Sequence, residues 1–323
     1  MESKHQHGSV KTPHPWPSAL FTQTFSLQQL QPRIVSSTMF RRFALLFLIL
    51  TALSPFSLAA QKTATPPPTE KLVYKTIADQ SLQLWVWKPA GWKPTDQRNA
   101  IVFYHGGGWA KGNPNAFSRQ SEKLAQQGMV AISVQYRLTS TKGVEVSDCI
   151  KDARSSFRYV RANASRLGIH ADKIAAGGGS AGGHLAACLT TIDLNEDTDD
   201  LTISTVPAAL VLFNPVTNFA FFRARQVAGP RYEAMLKISP HHHLKPQHPP
   251  VIIFHGEADT TVPIDTVRVY SARLNELGSE CELIAYPDQP HSFFNREPFI
   301  WDTLEKTEAF LKKHHLLTPD SSP

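Results

Sequence analysis

The sequence predicts an α/β fold, with a mostly parallel central sheet between two layers of helices. Two features predict it. From residue 100 onward, short continuous apolar runs alternate with longer segments in which apolar residues recur every three or four positions. Unbroken apolar runs are typical of strands buried on both faces, and the longer segments are typical of amphipathic helices. Their alternation indicates parallel strands joined by crossover helices.

The predicted elements begin with an edge pair. Residues 72–77 and 82–88 alternate apolar and polar side chains around a polar turn, which predicts two antiparallel strands with one solvated face. Buried strands follow at residues 100–104, 129–134, 173–176, 208–213, 251–254 and 281–286. Crossover helices are predicted over residues 146–160, 181–192 and 264–277.

One segment interrupts this alternation. Residues 214–245 connect two predicted strands and are longer than an ordinary connection. They include bulky side chains such as Phe219, Tyr232 and Met235. Two interpretations remain open: a small cap-like insertion over a substrate pocket, or a packed crossover helix.

The first 60 residues have the features of an export leader. Arg41 and Arg42 precede an apolar run at residues 43–53 and a small-residue stretch that ends at residue 60, which is the order found in a signal peptide. The run is shorter than the roughly 20 residues of a membrane-spanning helix. We therefore expect cleavage, no stable membrane insertion afterwards, and a periplasmic or extracellular protein. Met39 is an alternative start.

The remaining chain divides into three parts. Residues 61–70 are rich in proline and form a linker, residues 71–317 form one catalytic domain, and residues 318–323 are a tail. The net charge of +6 arises largely in the leader, and the rest of the chain carries 28 basic against 26 acidic residues. Nucleic-acid binding needs clustered Lys and Arg, so we expect no nucleic-acid partner.

The candidates for disulfides and metal sites are weak. Cys149, Cys188 and Cys281 are too few for a disulfide scaffold, although one pair remains open. The histidines at 241–243 and 248 lack a carboxylate or thiol that would complete a metal site. The acidic run at residues 193–200 lacks the glycine turn of a calcium loop, which favours a solvated loop. We expect neither a metal nor a cofactor.

A serine nucleophile is predicted at Ser180. The pattern Gly-x-Ser-x-Gly spans residues 178–182, directly after a predicted strand and at the start of a predicted helix. This context is that of a nucleophile elbow, in which a sharp turn presents the serine hydroxyl at the carboxyl edge of the sheet.

A glycine run indicates where an oxyanion would be stabilised. His105 is followed by three glycines and Trp109, directly after the strand at 100–104. Backbone N–H groups without side chains are suited to face a developing negative charge. We predict the donors to be Gly107 and Gly108 together with Ala181, and Trp109 to contact substrate.

The general base and its acid are predicted from their positions after the last strands. His291 follows the strand at 281–286, where its loop returns over the sheet. Asp259 lies in the loop after the strand at 251–254 and is the best acid, with Glu257 and Asp265 as competitors. Asp265 fits better in the first turn of the next helix. The chain order of nucleophile, acid and base matches this type of fold.

These motifs resemble those of the α/β-hydrolase superfamily, in the branch similar to hormone-sensitive lipase and to acetylxylan and feruloyl esterases. The resemblance covers nearly all of the chain after the leader and rests on residues 104–109, 135–138, 177–184, 255–263 and 290–293. It implies a triad of Ser180, Asp259 and His291. The lipase-like branch usually has Asp where this chain has Gly179, and a different acid loop from the one at Asp259. Both departures favour the carbohydrate-esterase side.

The resemblance and the motifs together predict an exported serine carboxylesterase that acts on short-chain acyl esters through an acyl-enzyme. The substrate is expected to be a small ester or an acetylated or feruloylated polysaccharide. Two alternatives remain: a peptidase of the prolyl-oligopeptidase type, and a non-catalytic binding protein on a hydrolase scaffold. The oligomeric state is not predicted.

Overall fold

The computed structural model describes residues 65–220 and 230–317. The chain divides into two units, Met1–Lys62 and Thr63–Pro323, and all described residues belong to the second. The predicted leader, the first residues of the linker, the middle of the 214–245 insertion and the tail lie outside the described residues.

The described part of the chain forms one eight-stranded sheet with the order β1-β2-β4-β3-β5-β6-β7-β8. Strand β2 runs antiparallel to both of its neighbours, and β3 to β8 are parallel to one another. The predicted mostly parallel sheet with an antiparallel edge pair is therefore confirmed. The strands are β1 Glu70–Ile77, β2 Gln80–Trp87, β3 Arg98–Tyr104, β4 Val130–Val134, β5 Ile169–Gly179, β6 Leu210–Phe213, β7 Val251–Gly256 and β8 Cys281–Tyr286.

Helices connect most of these strands. Those described are α1 Ser118–Gln126, α2 Val146–Ala162, α3 Ala164–Leu167, α4 Ala181–Thr191, α5 Pro230–Lys237, α6 Asp265–Glu276 and α7 Phe299–Lys313. Short 3-10 turns lie at Pro114–Phe117, Pro240–His243 and Phe293–Asn295. Within the described ranges, no helix combines the length and apolarity needed to cross a bilayer.

Strand β3 shows why both faces of the sheet are buried. Val102 and Tyr104 pack into a core with helices α2, α4 and α6, whereas Ile101 and Phe103 pack into a second core with α1 and α7. Alternate residues of a strand point to opposite faces, so an unbroken apolar run fills both cores.

Strand β5 is longer than the sequence predicts. The sequence predicts residues 173–176, but the strand extends to Gly179, because Gly177 and Gly178 pair with β3 and Gly179 pairs with Phe213 of β6. Glycine has a low intrinsic preference for strands, but hydrogen bonding to a strand on each side keeps these residues extended.

The acidic run is not simply a solvated loop. Asp193 is exposed, but Glu196 is paired with Lys75 and Arg137, and Asp199 is largely buried against Arg158. The guanidinium groups of α2 and its neighbours hold this loop to the domain surface, which sequence spacing alone did not indicate.

The three cysteines form no disulfide in the structure. Cys149, Cys188 and Cys281 are free and buried, as expected of small apolar groups.

In the described part of the insertion, Phe219 and Val216 form a small cluster with Val262, against which Met235 and Ile238 pack. The insertion therefore contacts the sheet edge beside Trp109.

Candidate active site

Ser180 lies in a sharp turn between β5 and α4, at the carboxyl edge of the sheet. Its backbone has φ 54° and ψ −118°, a combination that is costly for a residue with a side chain. The turn also needs a glycine two residues later: a Cβ at Gly182 would lie 1.9 Å from the carbonyl oxygen of Tyr104. The crowded turn therefore holds the serine hydroxyl away from the sheet and at the open edge.

His291 is within hydrogen-bond distance of this hydroxyl. Its Nε2 lies 3.0 Å from Ser180 Oγ, and its Nδ1 lies 2.6 Å from Asp259 Oδ2. With the Nδ1 proton donated to the carboxylate, Nε2 is left as an acceptor for the serine proton. The three side chains are thus joined in the order needed to activate an alcohol as a nucleophile.

Asp259 is held as an anion. Burial alone would raise the pKa of its carboxyl, but hydrogen bonds from His255, His291 and the backbone N–H of Val262 outweigh burial and hold that pKa well below its usual range. Its second oxygen accepts the backbone N–H groups of Thr261 and Val262 at 2.9 and 2.8 Å. The carboxylate is therefore fixed in both charge and direction.

The competing carboxylates lie elsewhere. Glu257 is exposed and pairs with Arg268. Asp265 occupies the first turn of α6 and pairs with the same arginine. Neither side chain bonds to His291 in the described structure.

The glycine loop after β3 presents backbone donors beside Ser180. Gly107 has φ +118°, and a Cβ on it would lie 2.1 Å from the carbonyl oxygen of Lys111, so only glycine fits there. Within the described residues, the N–H groups of Gly107, Gly108 and Ala181 donate to no backbone carbonyl. Ala181 is also the first residue of α4, where the helix dipole is positive. These amides are available to an oxyanion.

Trp109 is anchored through His184. Its indole Nε1 donates to His184 Nδ1 at 3.2 Å, and His184 Nε2 donates to the carbonyl of Ile238 at 2.8 Å. Burial lowers the pKa of His184 to about 4, against the opposing effect of the bond to Ile238, so the ring is neutral near pH 7. Together with Gly108, Phe219 and Met235, Trp109 lines a side cavity of about 540 Å³.

The cavity over the nucleophile is separate from this side cavity except at Gly108. Its volume is about 490 Å³, and both Ser180 and His291 line it. Phe117 and Phe294, whose side chains are almost fully buried, also border it.

Sequence reasoning missed two residues that support the triad. The side-chain oxygen of Asn214 accepts the backbone N–H of Ser292 at 3.1 Å, next to His291. His255 Nε2 donates to the carbonyl of Val262 and lies 3.4 Å from Asp259 Oδ2. Both could have been recognised from the sequence, because each is a polar residue at the carboxyl end of a buried strand.

Several residues at this edge have left-handed backbones. Positive φ angles occur in the segments that follow four of the parallel strands, at Trp109, Ser180, Asn214, Asp288 and Ser292, with values from 36° to 63°. Such angles are uncommon outside glycine and cluster at functional sites.

The described residues contain no group of three or more His, Cys, Asp or Glu side chains placed to hold a metal ion. Three of the histidines at 241–243 and 248 have hydrogen-bond partners within the protein, and the buried Nδ1 of His241 has none within the described residues. His242 contacts Ser239, His243 contacts the carbonyl of Leu236, and His248 contacts Thr190.

Known proteins are similar to this chain in fold and sequence. The chain is similar to esterase 2 of Thermogutta terrifontis with propionate bound, at 42% identity and a TM-score of 0.75, over 79% of this chain and 97% of that one. The same esterase phosphorylated by paraoxon is also 42% identical, with a TM-score of 0.73 over 80% and 98% of the two chains.

More distant relatives are also named as ester hydrolases. Isoprenylcysteine alpha-carbonyl methylesterase of Arabidopsis thaliana is 28% identical over 65% of this chain and 53% of its own length. The probable carboxylic ester hydrolase LipM of Mycobacterium tuberculosis is 26% identical over 64% and 52%. The chain spans about half the length of the curated relatives it matches.

A family model provides the assignment. The BD-FAE model matches residues 87–274, a stretch that includes the glycine loop, Ser180 and Asp259. The chain therefore belongs to the BD-FAE family, among the carboxylic ester hydrolases of the α/β-hydrolase superfamily.

Proposed function

We propose that the protein is an exported serine carboxylesterase that hydrolyses short-chain acyl esters, with esterified polysaccharide among its substrates. The continuous hydrogen-bond chain from Ser180 through His291 to Asp259 is the observation that carries the proposal.

The reaction has two acyl-transfer steps. Ser180 Oγ attacks the ester carbonyl carbon while His291 Nε2 takes its proton. The N–H groups of Gly107, Gly108 and Ala181 stabilise the negative charge that forms on the carbonyl oxygen. His291 then gives the proton to the departing alkoxy oxygen, which leaves as the alcohol. His291 then takes a proton from a water molecule that attacks the acyl-enzyme carbonyl, and it returns that proton to Ser180 Oγ as the acyl–oxygen bond breaks and the acid is released.

Two observations support a short acyl group. Trp109 directly follows the donor Gly108, and the bond to His184 and contact with Phe219 hold its indole in place. Esterase 2 of Thermogutta terrifontis, a structural relative, is known with propionate bound and with butyrate bound. A fixed bulky ring beside the carbonyl favours short chains over long ones.

Export and a polysaccharide substrate are supported by sequence. The arginine pair and apolar run at residues 41–53 have the order of a signal peptide. The motif differences at Gly179 and after Asp259 favour the carbohydrate-esterase side. Fractionation of cells that express the full chain tests export: we expect a shortened protein outside the cytoplasm, and an uncleaved cytoplasmic protein would contradict it.

Hydrolysis assays test the activity. The full chain is compared with Ser180→Ala and with Ser165→Ala, a matched control at an exposed position on α3. We expect p-nitrophenyl acetate and butyrate to be cleaved faster than the decanoate, acetate to be released from acetylated xylan, and both activities to vanish only in Ser180→Ala. Faster cleavage of decanoate would reject the short-chain preference, and no release from xylan would reject the polysaccharide substrate.

Organophosphate labelling tests the nucleophile independently of the substrate. Because a structural relative is phosphorylated by paraoxon, we expect paraoxon to add one diethylphosphoryl group to the peptide that contains Ser180. Mass spectrometry of the digested protein locates it. An unlabelled wild-type protein would instead favour a non-catalytic scaffold.

A further inference from the structure

The glycine loop after β3 can change conformation easily unless its neighbours hold it. Gly107 and Gly108 have positive φ angles of 118° and 63°, and their amides donate to no backbone carbonyl within the described residues. Glycine has more backbone freedom than any other residue. The residues on either side of the glycines must therefore fix the direction in which these N–H groups point.

Helix α4 holds both ends of this loop. At the start of the loop, the first turn of α4 packs so closely that a Cβ on Gly182 would lie 2.5 Å from the carbonyl oxygen of His105. At the end of the loop, Nδ1 of His184 accepts the indole N–H of Trp109 at 3.2 Å. The loop is thus attached at both ends to the helix that begins with Ala181, the third donor for an oxyanion.

Only one form of the His184 ring satisfies both of its partners. An indole N–H can only donate and a carbonyl oxygen can only accept, so Nδ1 accepts from Trp109 while Nε2 donates to Ile238. The ring is fully buried, and burial lowers the pKa of His184 to about 4. The ring is therefore neutral near pH 7, as this pair of hydrogen bonds requires.

His184 is also close to the nucleophile along the helix. Its backbone N–H donates to the carbonyl of Ser180 at 3.0 Å, which places it one helical turn after the serine. The carbonyl of Trp109 accepts the N–H of Thr139 at 2.9 Å, so the backbone of Trp109 is held as well. A shift of the glycine loop along α4 would move two donors relative to the third, and misplaced donors stabilise an oxyanion less well.

We propose that His184 is a positioning residue for the oxyanion hole: by binding Trp109, it keeps the amides of the glycine loop aligned with that of Ala181. This inference rests on the proposed esterase function of Ser180. It gives His184 no contact with substrate, and its effect falls on the transition state, in which the oxyanion forms.

Two substitutions separate the two hydrogen bonds of the ring. In His184→Asn, the amide oxygen is as many bonds from Cα as Nδ1 is, so it can still accept from Trp109. In His184→Gln, the amide nitrogen is as many bonds from Cα as Nε2 is, so it can still donate to Ile238. Each variant therefore keeps one bond and loses the other.

Hydrolysis of p-nitrophenyl acetate measures the effect. We expect His184→Gln to lower kcat about tenfold with little change in KM, because the donors are misaligned only where the oxyanion forms. We expect His184→Asn to restore kcat to within about threefold of the wild type. His248→Gln is the matched control, because His248 also has both ring nitrogens in contact with partners, Thr190 and Pro249, and does not line the cavity over the nucleophile.

NMR of protein labelled at the indole nitrogens detects the bond without any reaction. The chain has six tryptophans, and the signal that is missing in Trp109→Phe is that of Trp109. We expect the proton signal to move upfield in His184→Gln, where the acceptor is lost, and to stay close to its wild-type position in His184→Asn. An unmoved signal in His184→Gln would overturn the proposal.

The outcomes distinguish this inference from the esterase function. Equal kcat values in the two His184 variants, or losses that follow their melting temperatures, would show that His184 only packs, and would overturn the positioning role alone. Hydrolysis that persists in Ser180→Ala would overturn the esterase function itself. If His184→Gln does not fold, Trp109→Phe removes the same bond from its other partner: we expect a similar loss of kcat, and an unchanged kcat would overturn the proposal.

Discussion

Asparagine at position 259 removes one negative charge while leaving the shape of the side chain almost unchanged. In the structure, one oxygen of Asp259 accepts the N–H groups of Thr261 and Val262, and the other accepts Nδ1–H of His291. In Asp259→Asn, the amide oxygen keeps the two backbone donors, so the NH2 group faces His291. His291 must then accept at Nδ1 and carry its proton on Nε2.

The expected loss of activity follows from this tautomer. A protonated Nε2 cannot take the proton of Ser180, which lies 3.0 Å away. The corresponding substitution in other serine hydrolases with a triad lowers kcat by about 10⁴-fold. We expect a similar loss of kcat/KM here, equivalent to about 5 kcal/mol of transition-state stabilisation.

The assay is hydrolysis of p-nitrophenyl acetate at pH 7, with thermal melting as a check on folding. Asp265→Asn and Glu257→Gln are matched controls, since each removes one exposed carboxylate near the same loop. We expect less than a twofold change for either. A folded Asp259→Asn enzyme within tenfold of the wild type, or an equal loss in a control, would show that the Asp259 carboxylate does not set the tautomer of His291.

Three further predictions concern other parts of the domain. Gly107→Ala should lower kcat/KM by about 10²-fold or more in the same assay, because the left-handed backbone beside the oxyanion must shift; retained activity would exclude this amide as a donor. Burial lowers the pKa of His105 and His184 to about 4. The folded protein then binds fewer protons than the unfolded chain in this pH range. The free energy of unfolding is therefore highest above pH 6.5 and falls as the pH drops towards 4, by up to roughly 3 kcal/mol for each histidine. Urea unfolding at several pH values checks this, and a constant midpoint would contradict it. Asp152→Asn should cost about 3–5 kcal/mol of unfolding free energy in urea, since it leaves Arg137 without its fully buried partner; a loss under 1 kcal/mol would show the pair to be replaceable.

The sequence predicts most of the fold because each of its signals is local. Unbroken apolar runs mark the buried strands, and alternation marks the edge pair β1 and β2. Position after a strand also brings Ser180, Asp259 and His291 together, because parallel strands end at one edge of the sheet. A glycine-rich turn between a strand and a helix can be recognised without any tertiary contact.

The features that the sequence did not predict depend on contacts between distant residues. The close approach of Gly179 to the ring of Phe294 joins positions 115 residues apart along the chain. Glu196 is held by Lys75 and Arg137, which come from a different strand and loop, so its acidic run resembles a solvated loop in sequence. Asn214 is likewise recognisable only once the loop of His291 is placed beside it.

The left-handed residues at the carboxyl edge have a consequence for engineering. Ser180, Asn214 and Trp109 each hold a backbone conformation that costs about 1–2 kcal/mol relative to glycine. At Ser180, glycine would relieve that strain and remove only a hydroxymethyl group, so an inactive variant at this position should melt above the wild type. At Trp109 and Asn214, glycine would also remove the contacts with Phe219 and Ser292. A screen that selects only for thermal stability would thus drift away from catalysis at Ser180, and it should hold this position fixed.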